Sequence, residues 1–254
     1  TIFFDEGCLK DNETRLAEWP AWPVHGLIDD LLPVLERWAD DGERVALATL
    51  VDIVGSSPRP LGSEMAITTS GRVAGYVSGG CVEGAVAAEA RGVLADGAPK
   101  MLDYGAGSPV LDVQLTCGGR IGIFVREIAD LSAYVAYLKA ARTDRRAAIV
   151  DIDLASGAHQ LLADASAPPT FAHCFRQTYL PPCRLIVVGS DPVTLALCRL
   201  AGLFGFEVGL IRPYGPGAPP PDTPLVHYDT RPLQRALDDL ALDSWSALYT
   251  LTHD

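Results

Sequence analysis

Arg184-Leu185-Ile186-Val187-Val188-Gly189-Ser190-Asp191-Pro192-Val193-Thr194 reads as a buried strand turning tightly into a helix. Four apolar residues in a row, followed by glycine, are the pattern of a strand covered on both faces. Pro192 suits the first turn of a helix, where its missing N–H is no loss. The pattern continues with a helix over 192–204, a strand over 207–211, a helix over 233–240 and a strand over 246–251. This βαβαβ alternation predicts a Rossmann-like three-layer domain with a parallel sheet over 183–254.

The same turn argues against the usual cofactor of such a sheet. A dinucleotide site needs G-x-G-x-x-G, whose middle glycine lets the main chain touch the pyrophosphate. Here Asp191 stands at that middle position, where a carboxylate repels phosphate. Asp191 or Ser190, followed by Pro192, has the form of a helix N-cap. After the second strand Arg212 replaces the acidic residue that would bind a ribose diol. Binding of NAD by this half is therefore not expected.

Upstream of the expected linker the texture is different. Strands are expected over 44–54, 64–69, 72–77, 100–104, 120–126, 147–153 and 159–163, with helices over 27–39 and 82–96. The segment 165–182, with Pro168-Pro169 and Pro181-Pro182, reads as a linker. The expected organisation is thus α/β, with an N-terminal α+β domain over 1–164, a linker over 165–182 and the Rossmann-like domain over 183–254.

The residue types that carry chemistry cluster in the first domain. Gly79-Gly80-Cys81-Val82-Glu83 and Thr116-Cys117-Gly118-Gly119 are two cysteines framed by glycines, where a ligand can approach the main chain closely. Cys81 also precedes a run of helix formers, so its sulfur lies near a positive dipole end. In isolation, Gly-Gly-Cys reads more readily as a tight turn filled by a small side chain, and the second motif and the upstream segment reverse that preference. Ahead of it, Gly55-Ser56-Ser57-Pro58-Arg59 follows an apolar strand. Ser56, Ser57 and the main chain offer donors there, and Arg59 offers a planar fork for phosphate or carboxylate. Glu83 falls in the first helical turn, where a carboxylate is stabilised whatever its role.

In order, Gly-Ser-Ser-Pro-Arg, Gly71-Arg72-Val73-Ala74-Gly75-Tyr76, Ser78-Gly79-Gly80-Cys81-Val82-Glu83 and Thr116-Cys117-Gly118-Gly119 resemble the XdhC/CoxI family of molybdenum hydroxylase accessory proteins. The likeness is close over about 45–127 and looser beyond. It implies a protein that binds the molybdenum cofactor (molybdopterin) transiently, promotes its sulfuration and delivers it to an apo molybdenum hydroxylase of the xanthine dehydrogenase type. The implied partners are that enzyme, a cysteine desulfurase and a second copy of the chain. The implied cofactor contacts are Ser56, Ser57, Arg59, Gly79, Gly80, Cys81, Glu83, Cys117 and Gly118, with Cys81 and Cys117 as the chemically active pair. The family usually carries a Gly-x-Gly-His-like turn and an Asp where this chain has Ser190-Asp191 and Arg212. Further helix and strand normally follow the Thr252-His253-Asp254 position, so a continuation beyond Asp254 is expected. Two other classes remain open: an NAD(P)-dependent oxidoreductase using the Rossmann-like half, and a thiol-based sulfur-transfer enzyme.

Composition narrows the field. The 254 residues are 48% hydrophobic and 20% charged, with a net charge of −12. That charge disfavours nucleic acid and anionic membrane surfaces as partners. No stretch has the length of an apolar membrane span, and the first residues lack a basic signal start. The six cysteines include no CxxC pair, which argues against a zinc ribbon or thioredoxin-type centre and for reduced thiols in the cytoplasm.

Overall fold

Ten consecutive residues, Val45–Val54, form the central strand of the first sheet, and the first six of them are buried. They alternate between two faces. Ala46, Ala48 and Leu50 enter one core, while Val45, Leu47 and Thr49 are covered on the other side. The computed structural model describes residues 30–108, 115 and 118–251. These fall into two units, one made of Leu31–Tyr137 and Val150–Gln177, the other of Leu138–Ile149 and the chain from Thr178 onward.

The first unit begins with α1 (Leu32–Asp40), β1 (Val45–Val54), β2 (Glu64–Thr68), β3 (Val73–Gly75), α2 (Glu83–Asp96), β4 (Lys100–Gly105) and β5 (Arg120–Glu127). Five strands form an antiparallel sheet in the order β3-β2-β1-β5-β4. Helix α2 lies on one face of it. Its Val86, Ala87, Ala90, Val93 and Leu94 recur at helical spacing and meet Met65, Ile67, Ile121, Ile123 and Val125. The helix ends at Gly97, whose left-handed backbone lets its N–H reach the Val93 carbonyl. On α1, the Trp38 ring receives the Arg72 guanidinium 5.5 Å from its centroid, while Arg72 also pairs with Asp41 and Glu43.

The chain continues through α3 (Leu131–Thr143), β6 (Ala148–Asp153), β7 (His159–Leu162) and β8 (Cys174–Tyr179), the strands forming a sheet in the order β7-β6-β8. Neither α3 nor β8 is among the elements expected from the sequence. For α3 the signals are present: Asp130 Oδ1 accepts from Ala133 N at 2.9 Å, and Leu131, Tyr134, Val135, Leu138 and Ala141 are all buried. The 165–182 segment is not a plain linker, since it supplies β8. Arg176 explains the order. Its guanidinium is paired two ways with the fully buried Asp151, at 2.7 and 2.9 Å, and donates to the Ala165 and Ala167 carbonyls. Thr170 N also donates to Asp151 at 2.9 Å. The Arg176 hydrogen bonds above all hold the Asp151 carboxyl at about 2. The chain around Pro168-Pro169 is held against the sheet by one arginine fork.

The second unit carries β9 (Arg184–Gly189), α4 (Pro192–Leu203), β10 (Glu207–Ile211), β11 (His227–Asp229), α5 (Leu233–Asp238) and β12 (Ser246–Leu251). Its four strands are parallel, in the order β11-β10-β9-β12. Numbered within the unit this is 3-2-1-4, the order of a doubly wound sheet. Val187, Val208 and Leu210 face Cys198 and Ala201 of α4, while Ile186, Val188 and Ile211 face Ala236 of α5. Helices thus cover both faces. Within this unit Arg145 bonds to Asp243, to Glu207 and to the Pro182 carbonyl.

In the first unit a buried polar contact makes stability depend on pH. Arg126, 1% exposed, donates from Nη1 to His159 Nδ1 at 3.1 Å and lies 5.8 Å from the Tyr134 ring centroid. Burial, then the Arg126 charge, lowers His159 from 6.5 to about 4. The folded form therefore binds this proton more weakly than the unfolded chain does. Stability from the contact is complete above pH 6.5 and is lost as pH falls from 6.5 toward 4. His159→Gln keeps an acceptor for Arg126 but cannot titrate, so its melting temperature should fall less steeply over that range than the native protein's. Identical slopes would remove His159 as a source of acid sensitivity.

Candidate functional site

Strand directions bring the distant motifs together. Because β1 runs antiparallel to β2 and β2 to β3, the chain leaves β1 and β3 at the same end of the sheet. Because β5 is antiparallel to both β1 and β4, it starts at that end, where β4 finishes. The loops after Val54, Gly75 and Gly105 and the turn before Arg120 therefore share one rim. The register is specific: Val54 faces Arg120, and Gly105 faces Arg120 from the other side.

Contacts within the rim are close. A Cβ on Gly119 would lie 1.9 Å from the Ser56 carbonyl oxygen, so only glycine permits this approach of two main chains. Gly119 O accepts from Ala106 N at 3.2 Å, tying in the chain that follows β4. On the other side of the Ser-Ser-Pro loop, a Cβ on Gly79 would touch Pro58 at 3.9 Å. The structure thus brings Ser56, Pro58, Gly79 and Gly119 into one neighbourhood. Gly118, also expected in the site, is exposed beside them, with its N–H bonded to Leu115 O at 2.9 Å. Cys117, with Thr116, lies outside the described residues.

Side chains in the first loop are arranged unevenly. Ser57 was expected to offer a donor, but its hydroxyl closes the turn, donating to Arg59 O at 2.8 Å and accepting from Arg59 N at 3.2 Å. Ser56 is exposed and Arg59 half-buried. Ser57 therefore holds the main chain from which Arg59 extends. Next along the rim, Arg120 donates from Nε to Asp103 Oδ1 at 2.7 Å, with a second bond from Nη2 to Oδ2. That bonding lowers the Asp103 carboxyl below its ordinary range. This pair went unassigned in the sequence, where an i and i+17 spacing on separate strands carries no local signal.

The cysteine loop is organised by Glu83. One carboxylate oxygen accepts from the N–H groups of Val77, Ser78 and Gly79 at 3.1, 2.8 and 3.0 Å. The other accepts from the Ser78 hydroxyl and the N–H groups of Gly80 and Val82 at 2.7, 2.8 and 3.2 Å. Ser78 Oγ in turn accepts from Cys81 N, at 3.1 Å. Burial opposes ionisation of Glu83, but the Ser78 hydroxyl and main-chain donors outweigh it and lower the carboxyl below its usual value. Glu83 and Gly79 and Gly80, expected to meet the cofactor, thus engage one another. Cys81 is exposed, one residue ahead of the α2 N-cap Val82. Ser78, quoted in the motif without a role, is its 1% exposed support.

In the second unit, Asp191 caps α4. Its Oδ1 accepts from Thr194 N at 2.7 Å and from Thr194 Oγ1 at 2.6 Å. The helix end that would hold a pyrophosphate is filled by the chain's own carboxylate. Among the described residues, no three or more His, Cys, Asp or Glu side chains are placed to hold a metal ion.

Residues 38–105, which contain the Ser-Ser-Pro-Arg and Gly-Gly-Cys motifs, match the XdhC and CoxI family. Over this stretch the chain carries the sequence pattern of that family. It is 32% identical over 167 residues to the molybdenum cofactor insertion chaperone PaoD of Escherichia coli strain K12. That match covers 65% of this chain and 52% of PaoD, so the chain spans about half the length of this curated relative. The fold is also that of a crystal structure described as a xanthine dehydrogenase from Bacillus halodurans, with TM-score 0.73 and 20% identity. The likeness covers 88% of this chain and 74% of that one and carries the fold alone.

The glycines of this rim should differ sharply in tolerance. Gly119→Ala forces a Cβ into the Ser56 main chain and should cost more than about 2 kcal/mol. Gly84, in the first turn of α2, has nothing among the described residues within 4 Å of its Cβ position. Gly84→Ala should raise stability by up to about 1 kcal/mol through helix propensity. Denaturant unfolding measures both. Equal, small effects would mean that the Ser56–Gly119 approach is not a constraint.

Proposed function

We propose that this chain is a maturation factor that takes up the molybdenum cofactor at the rim of its antiparallel sheet and passes it to an apo molybdenum hydroxylase. The observation that carries the reading is the convergence of Ser56, Arg59, Gly79, Cys81 and Gly118 at one end of a single sheet. Kinship with an insertion chaperone supports it from outside the geometry.

The chain's own groups suit such a cargo. Arg59 extends from a turn fixed by Ser57 and supplies a planar donor pair for the cofactor's phosphate. Cys81 presents an exposed soft sulfur from a loop whose main chain is fixed. Among the described residues, nothing lies within 4 Å of the Cβ positions of Gly80 and Gly118, so a flat ring system could lie against main chain there. When bound, the cofactor supplies a molybdenum centre whose oxo ligand is exchanged for sulfido. The chain's part is to hold it, exclude competing ligands and present it. We further propose that sulfur comes from a cysteine desulfurase, that the receiving enzyme is of the xanthine dehydrogenase type, and that the protein works as a homodimer in the cytoplasm. Cys117 is proposed as a second contact.

The Rossmann-like unit is proposed as a docking or structural element without a dinucleotide. Asp191 in the phosphate position supports this over an NAD(P)-dependent oxidoreductase. A sulfur-transfer enzyme acting through Cys81 differs in one respect, since it would need a persulfide on that residue and no bound pterin.

The test is to purify the protein from cells that make the cofactor, oxidise the sample and measure fluorescent pterin. The native chain should carry pterin, and Cys81→Ala should carry less. Arg59→Ala, still folded, should lose about tenfold in affinity, as expected for one charge-assisted contact. Absence of pterin together with tight NAD(H) binding by calorimetry would overturn the proposal.

A further inference from the structure

We infer that Glu83 is the positioning residue of the cysteine loop: its carboxylate acts as a built-in anion around which the loop folds, so that Cys81 is presented and the loop's N–H groups are withheld from the cargo. The inference rests on the proposed role of Cys81 and changes that of Glu83 from ligand contact to internal support.

Six consecutive main-chain N–H groups, from Val77 to Val82, lie in or beside this turn. Five of them reach Glu83: those of Val77, Ser78, Gly79, Gly80 and Val82. The sixth, of Cys81, reaches the Ser78 hydroxyl, which itself donates to Glu83 at 2.7 Å. Val82 N is shared between Glu83 and Ser78 Oγ, at 3.2 and 3.1 Å. Successive N–H groups converging on one point form a nest, a geometry that binds anions. The convergence needs positive φ at Gly79 (84°) and Gly80 (116°), which accounts for the glycine pair.

Two consequences follow for the site. A phosphate cannot use this nest while Glu83 fills it, so the proposed anion contact is Arg59 of the Ser-Ser-Pro-Arg loop and not the cysteine loop. The Cys81 backbone is fixed on both sides, by Gly80 N and Val82 N on the same carboxylate oxygen, so its side chain is aimed by the loop. The Tyr76 phenol lies within electrostatic reach of this carboxylate. Burial first and the Glu83 charge second push that phenol upward, which keeps it neutral.

Glu83→Gln tests the idea, because the amide replaces one acceptor oxygen by an N–H₂ donor facing main-chain donors. Ser78→Ala is the second variant, removing the hydroxyl while leaving the carboxylate. Two measurements are made on each: hydrogen exchange of residues 77–82, and N-ethylmaleimide labelling of Cys81 relative to the exposed Cys183 of the other unit. In Glu83→Gln, exchange protection over 77–82 should fall about tenfold or more. The Cys81 to Cys183 labelling ratio should change by about threefold or more. Ser78→Ala should move both in the same direction by less. Unchanged protection and an unchanged ratio in Glu83→Gln would overturn the inference. Pterin retention, read separately, should fall with loop protection. Loss of protection in a protein whose native form never carries pterin would overturn the proposed cargo and leave the positioning role standing.

Discussion

Pairing of β1 with β5 is the constraint from which the site follows. Its register sets Val54 opposite Arg120, so the residues beyond each, Gly55 and Gly119, must pass side by side. A shift of one residue would turn Ile121, Ile123 and Val125 away from α2 and expose the core they share with Ala46, Ala48 and Leu50. Hydrophobic burial therefore fixes the register, and the register fixes the meeting of two loops 60 or more residues apart in sequence. The close approach of Gly119 to Ser56 is a consequence of core packing.

Helices in both units fill their own N-terminal ends. Glu83 gathers the donors ahead of α2, and Asp191 accepts from the Thr194 N–H in the first turn of α4. Helix starts of this kind ordinarily attract phosphate. Here each is occupied by an internal carboxylate at a distance typical of charge-assisted bonds. The outcome differs between the units. Around α2 it leaves an exposed cysteine on a fixed loop. Around α4 it leaves a turn closed by its own cap, worth about 0.5–2 kcal/mol.

Much of this was legible in the residues. The apolar run of β9, its turn through Asp191 and the helix start at Pro192 were readable because each signal is local: periodicity, an N-cap residue, a proline at the first turn. The glycine-framed cysteine motif was readable for the same reason. Other features depend on partners far away in sequence. Arg176 orders the proline-rich segment by reaching Asp151, and nothing near Pro168 announces it. The short β11 and β8 owe their existence to neighbouring strands. Helix α3 was within reach, since Asp130 and the spacing of Leu131, Tyr134, Val135 and Leu138 spell it out, but it lay between two motif-poor stretches. Glu83 shows the subtler failure. Its type and position indicated stabilisation by a helix dipole, whereas six donors converge on it only once Gly79 and Gly80 have turned the chain.

The central claim is that cargo binds at the rim of the antiparallel sheet and not at the doubly wound sheet. Backbone amide shifts, followed while molybdopterin is added to the isotope-labelled protein under anaerobic conditions, test it most directly. The account predicts shifts concentrated in 55–59, 78–83, 105–108 and 118–120, with residues 189–194 and 212 unmoved. Shifts concentrated at 189–194, with the cysteine loop silent, would contradict it.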